Sequence, residues 1–183
     1  MTREDDRFIP LLDRTQFANE KKADIFVSIH ANSIDGVVKR RETKGYKVYF
    51  LSQAKNEEDK VAAMRENAVI QLEDRSQRYN NLQNILIDMA GNEYLRESQE
   101  LSIIIDERFT TSLKKVEKLN RGLGQANFWV LNGAYMPSVL IEIGFISNPS
   151  EEKILTQEQF QKTMAASICE AIMHFKNTIE AGR

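Results

Sequence analysis

Two residues stand where chemistry would use them. Glu142 lies inside the stretch Pro137–Pro149, read as PSVLIEIGFISNP. Val139, Leu140, Ile141 and Ile143 make a short apolar run rich in β-branched residues, bounded by Pro137 and Gly144. That pattern predicts a buried strand rather than a helix. A carboxylate inside such a strand costs free energy unless it is paired, bound to a metal or exposed at the strand's end. Two readings follow: a Glu paired with an arginine in the core, or a site group near the carboxyl end of a central strand, where open α/β sheets place their sites. His30 is the second residue. It follows the apolar run Ile25, Phe26, Val27 and Ile29 in ADIFVSIHAN, where the strand stops and a polar loop with Gly36 begins. A lone histidine is usually a satisfied structural group. Its place at a strand's end raises the weight of a ligand or catalytic role.

The remaining elements must position these two. Phe8, Leu11, Leu12 and Phe17 predict a short helix through Asn19, with Pro10 in its first turn. Gly45–Leu51, GYKVYFL, alternates as a third, less buried strand. From Glu57 to about Asp74 the spacing predicts a helix with Val61, Met64, Ala68 and Leu72 on its core face. The opposite side carries Glu66, Ile70 and Glu73, two acids flanking an apolar residue. Such a face is either plainly solvated or docks against something. Arg75–Asn92 is polar and irregular and reads as an insertion. A helix from Glu93 to about Lys118 then uses Leu101, Ile104, Ile105 and Phe109. Gly122 and Gly124 break it from FWVL (Phe128–Leu131), read as a strand. Two helices follow Pro149; the last, from about Gln157 to Asn177, buries Phe160, Met164, Ile168, Ile172 and Phe175. His174 falls off that stripe and reads as solvated.

Length and charge narrow the classes. The chain has 183 residues, 25 Lys plus Arg against 27 Asp plus Glu, and a net charge of −2. That suits one compact domain, and no basic stripe points to nucleic acid. No apolar run is long enough to span a membrane, and TREDDR after Met1 is no signal peptide. The single cysteine, Cys169, rules out an intramolecular disulfide.

SIHAN followed by VLIEIGFISNP resembles the zinc-dependent N-acetylmuramoyl-L-alanine amidases of bacterial cell walls. TREDDRFIPLLDRTQFAN resembles that family's segment before the SIHAN strand, and RGLGQANFWVLNGAYMPSVLIEIGF its last two strands. The resemblance covers nearly all of the chain. It implies one three-layer α/β domain over 1–183, with helices on both sides of a mostly parallel, roughly six-stranded sheet. It also implies a helical insertion at about 53–96. The family's zinc is held by a His, a Glu and a second His; the second His matches His30, and the catalytic glutamate matches Glu142. The first His, the Glu and the first strand are expected upstream of Met1, so the chain reads as part of a longer product. The implied substrate is peptidoglycan and the implied place the periplasm or cell envelope. A catalytically inactive wall-binding homologue, or an inactive fragment, is the alternative. Some members similar to this one carry an insertion whose helix places a glutamate at the zinc until an activator protein withdraws it. On that resemblance Glu66 is the first candidate for the inhibitory acid and Glu73 the second.

Overall fold

Four strands carry the site. The computed structural model describes residues 1–73, 94–113 and 119–181; the irregular stretch expected over Arg75–Asn92 lies outside them. Strands β1 (Phe26–Asn32), β2 (Tyr46–Leu51), β3 (Asn120–Ala126) and β4 (Ser138–Phe145) form one sheet in the order β1-β4-β2-β3. The helices are α1 (Leu11–Glu20), α2 (Val37–Glu42), α3 (Glu57–Asn67), α4 (Leu95–Ser112), α5 (Pro149–Leu155) and α6 (Glu158–Ala181). Short 3-10 turns cover Ala68–Leu72 and Trp129–Leu131.

Strand directions follow from the hydrogen bonds. The Phe26 N–H donates to the Pro137 carbonyl at 2.9 Å, and the Ile146 N–H to the Asn32 carbonyl at 2.8 Å. Both strands advance together, so β1 and β4 are parallel. The buried carboxylate of Glu151 accepts from the N–H of Gly45, just before β2, at 2.9 Å, and from that of Phe145, at the end of β4, at 2.7 Å. The start of β2 therefore lies beside the end of β4, and these neighbours run in opposite directions. The α/β class expected from the sequence holds. Among the described residues, however, the sheet has four strands and is mixed rather than mostly parallel.

Contacts divide the chain into two compact units, each drawing on several segments. Met1–Ser28, Phe50–Gln99 and Gly124–Val139 form the first. There α1 packs on the Trp129–Leu131 turn, whose three residues are all buried. Thr15 Oγ1 donates to the Asn132 carbonyl (3.0 Å) and the Asn19 amide to the Gly133 carbonyl (2.7 Å). Ile29–Tyr49, Glu100–Leu123 and Leu140–Arg183 form the second. Its core brings Tyr46 edge-on to Phe109, with ring centroids 5.3 Å apart. Helix α6 buries Met164, Ile168 and Phe175, as its periodicity predicts, and leaves His174 exposed.

Three local expectations fail. FWVL is a 3-10 turn, and the strand is the preceding NRGLGQA, whose glycines looked like breakers. Backbone pairing decides there: the Ser52 N–H reaches the Ala126 carbonyl at 3.4 Å, and pairing outweighs the poor strand propensity of glycine. Gly45, at φ +111°, faces this strand so closely that a Cβ would collide with the Leu119 carbonyl oxygen. Strand β2 is not less buried: every residue from Tyr46 to Phe50 is buried, because β2 lies between β4 and β3. Ile29, expected in the core, is 55% exposed on the outward face of β1.

Glu151→Ala would leave the N–H groups of Gly45 and Phe145 without their acceptor. Two buried donors at about 1–3 kcal/mol each predict a loss of about 2–6 kcal/mol in urea unfolding. A loss below about 0.5 kcal/mol would show that water replaces the carboxylate at no cost.

Candidate metal centre

Strand register brings the two principal residues together. In a parallel ladder, donation from Phe26 to the Pro137 carbonyl sets Phe26 beside Ser138. The bond from Ile146 to Asn32 sets Asn32 beside Phe145, so β4 carries one more residue than β1 between the two bonds; within that stretch His30 and Glu142 bring ligand atoms within 4.8 Å of each other. On one face of β1, Phe26, Ser28 and Asn32 are buried and His30 is half-buried. Glu142 is 1% exposed.

A third acid arrives from α3. Asn56 caps this helix, its side chain accepting from the Asp59 N–H at 2.8 Å, and Glu57, Glu58 and Asp59 in the first turn suit the positive end of the helix dipole. The buried positions are Asp59, Ala62 and Ala63, and Glu66 continues that face with partial burial. This reverses the predicted orientation. Val61, Met64 and Leu72, expected in the core, are 48%, 64% and 78% exposed, and Ala68 is exposed as well. The physical reason is size and polarity. Two alanines allow a close approach, and Asp59 on the same face is held by polar partners: its Oδ2 accepts from the Gln125 N–H at 3.3 Å and the Asn56 amide at 3.2 Å.

His30, Glu66 and Glu142 each offer one ligand atom, and these atoms all lie within 4.8 Å of one another. Among the described residues no other group of three or more His, Cys, Asp or Glu meets in this way. The donor set is one imidazole nitrogen and two carboxylate oxygens. Imidazole nitrogen and carboxylate oxygen are both donor types that Zn²⁺ takes.

Glu73 lies elsewhere. It is 7% exposed, and its Oε1 accepts from the N–H of Leu11 at 2.9 Å. Pro10 gives α1 no side-chain cap, so Glu73 satisfies one of the free donors of that helix end. It does not join the group around His30.

Two residues escaped the sequence reading. Asn67, next to Glu66, donates from its side-chain amide to the Asn127 carbonyl at 2.8 Å and accepts from the Trp129 N–H at 2.9 Å. No sequence signal marks it. Lys47 is 5% exposed, with its ammonium 5.4 Å from the centre of the Tyr49 ring. Tyr46 and Ile143 line one small cavity, so by alternation Lys47 and Glu142, on neighbouring strands, share the opposite face of the sheet. A lysine inside GYKVYFL was the available signal.

A histidine and two carboxylates converging beside a mixed α/β sheet form a metal-type site, and comparison with known proteins identifies its lineage. The Amidase_3 family, described as N-acetylmuramoyl-L-alanine amidase, matches residues 1–174, and the chain belongs to it. It is 34% identical to the N-acetylmuramoyl-L-alanine amidase AmiC of Neisseria meningitidis serogroup B, over 97% of this chain and 42% of that protein. It is 30% identical to AmiA of Escherichia coli K12, over 96% of this chain and 60% of that protein. The chain thus spans less than two thirds of the length of these curated relatives. The fold matches the crystal structure of the N-acetylmuramoyl-L-alanine amidase from Clostridium difficile 630, with a TM-score of 0.65 at 24% identity, over 96% of this chain and 70% of that one.

The placement of Glu73 has a measurable consequence. Glu73→Ala should lower stability by about 1 kcal/mol, the usual cost of losing a helix cap, and leave zinc affinity unchanged. Weakened zinc binding in this variant, measured by competition with a chromophoric chelator, would return Glu73 to the metal group.

Proposed function

We propose that this chain is the catalytic part of a zinc-dependent peptidoglycan amidase, cutting the amide between N-acetylmuramic acid and the L-alanine of the stem peptide. The convergence of His30, Glu66 and Glu142 on one point carries this reading. The single family match over 1–174 supports one amidase domain with an insertion at about 53–96.

His30 would hold the zinc through an imidazole nitrogen, with the further His and Glu implied by the resemblance completing the site. Zinc, when bound, polarises the scissile carbonyl and brings the pKa of water close to neutrality. Glu142 is the general base. It takes the proton of the attacking water and hands it to the leaving amine of L-alanine. Its burial keeps bulk water away from that transfer. Lys47 lies on the same face of the neighbouring strand, buried beside the Tyr49 ring.

Glu66 acts against turnover. Its carboxylate competes for the position the attacking water needs, so α3 must withdraw before substrate enters. The exposed apolar residues Val61, Met64 and Leu72 give an activator protein something to grip on the same segment. Both the activator and the periplasmic or envelope location follow from the family. Among the described residues no helix is long and apolar enough to cross a membrane.

The test is release of stem peptide from purified peptidoglycan by the gene product containing this chain. His30→Ala should lose zinc and activity together. Glu142→Gln should retain zinc while turnover falls by about 10²-fold or more. Glu66→Ala should raise basal turnover severalfold. Zinc loss in Glu142→Gln would overturn the division between ligand and base, and unchanged turnover in Glu66→Ala would remove its inhibitory role.

A further inference from the structure

Glu66 occupies the last turn of α3, and what fixes that turn is unusual for a helix. The buried side of α3 presents Asp59 and the methyl groups of Ala62 and Ala63, while Val61 and Met64 face solvent. Little apolar surface of the helix is hidden, and polar contacts hold both of its ends. At the first turn Asp59 accepts from the Gln125 N–H at 3.3 Å. At the last turn the Asn67 side chain spans the backbone of the 127–129 segment, donating to the Asn127 carbonyl at 2.8 Å and accepting from the Trp129 N–H at 2.9 Å. One planar amide supplies both donor and acceptor. The Asp59 and Asn67 attachments are separated by about 12 Å of helix at a rise of 1.5 Å per residue. A rotation about the Asp59 end would therefore move the last turn most, and Glu66 with it.

We propose that Asn67 is the positioning residue for Glu66: its amide, bridging Asn127 and Trp129, holds the last turn of α3 so that the Glu66 carboxylate stays in the group with His30 and Glu142. Release of that bridge is the step that takes Glu66 out of the group. The proposal rests on the reading of Glu66 as a zinc ligand. Glu73 on the Leu11 N–H keeps the following 3-10 turn tethered, so the released helix swings rather than leaves.

The experiment uses the purified gene product containing this chain, with zinc as the probe. Hydrogen exchange is read by mass spectrometry, and zinc affinity by chelator competition. In Asn67→Ala, exchange across Glu57–Leu72 should quicken severalfold while β1 and β4 keep the parent's rates. Zinc affinity should fall by about tenfold or more, the usual effect of losing a group that orients a ligand. Glu66→Ala should weaken zinc to a similar degree, and the double variant should be no weaker than Glu66→Ala alone. Asn67→Asp keeps the acceptor for Trp129 but sets an oxygen against the Asn127 carbonyl, so it should behave as Asn67→Ala does while retaining polarity and size. Unchanged exchange in both Asn67 variants would overturn the proposal and leave the reading of Glu66 standing. So would additive losses in the double variant. Zinc affinity unaffected by Glu66→Ala would overturn that reading, and the proposal with it.

Discussion

A carboxylate with 1% of its surface exposed, in the middle of an apolar strand, is the constraint the site answers to. A buried ionised acid is tolerated only with charge or strong donors around it. The sheet supplies these by geometry. β4 has β1 on one side and β2 on the other, so Glu142 meets His30 from one neighbour and shares a face with Lys47 from the other. The parallel pairing of β1 with β4 is what makes His30 its companion. A one-residue slip would send His30 to the outward face, where Ile29 now sits exposed.

Two kinds of cohesion coexist around that site. Interlocking apolar side chains are one: Leu140, Ile141, Ile105 and Phe109 are all 0% exposed. Single polar groups that join distant segments are the other, as Thr15 does to Asn132, Asn67 to Asn127 and Glu151 to Gly45. Packed side chains of this kind resist displacement because any shift opens voids. A hydrogen-bonded staple can be exchanged for water at little cost once its segment is exposed.

The sequence made the centre of the molecule more legible than its margins. Glu142 and His30 were visible because a charged or titratable residue beside an apolar run is locally anomalous. Helices α4 and α6 were visible through long, regular apolar spacing. The face of α3 was misread for a physical reason: its contact side is made of alanines and acids, which pattern reading assigns to solvent, while its valine and methionine face outward. The strand at Asn120–Ala126 was hidden by two glycines, since pairing with β2, not propensity, makes it a strand. Glu73 was recognised as unusual but not as a cap, because its partner on α1 is far away in sequence. Lys47 could have been found by the same anomaly that marked Glu142. Asn67 could not, since an amide that imitates backbone leaves no trace in the pattern.

The thin apolar contact beneath α3 also bears on how the helix responds to temperature. Heat-capacity changes on opening scale with the apolar surface newly wetted, and here Ala62 and Ala63 are the only apolar residues of the helix that are buried. Opening of α3 should therefore carry a small heat-capacity change, and its free energy should run nearly straight with temperature. Unfolding of the core, which exposes Phe109, Ile141 and their neighbours, must follow a curved profile. Cooling would then shift the closed helix and the folded core by different laws.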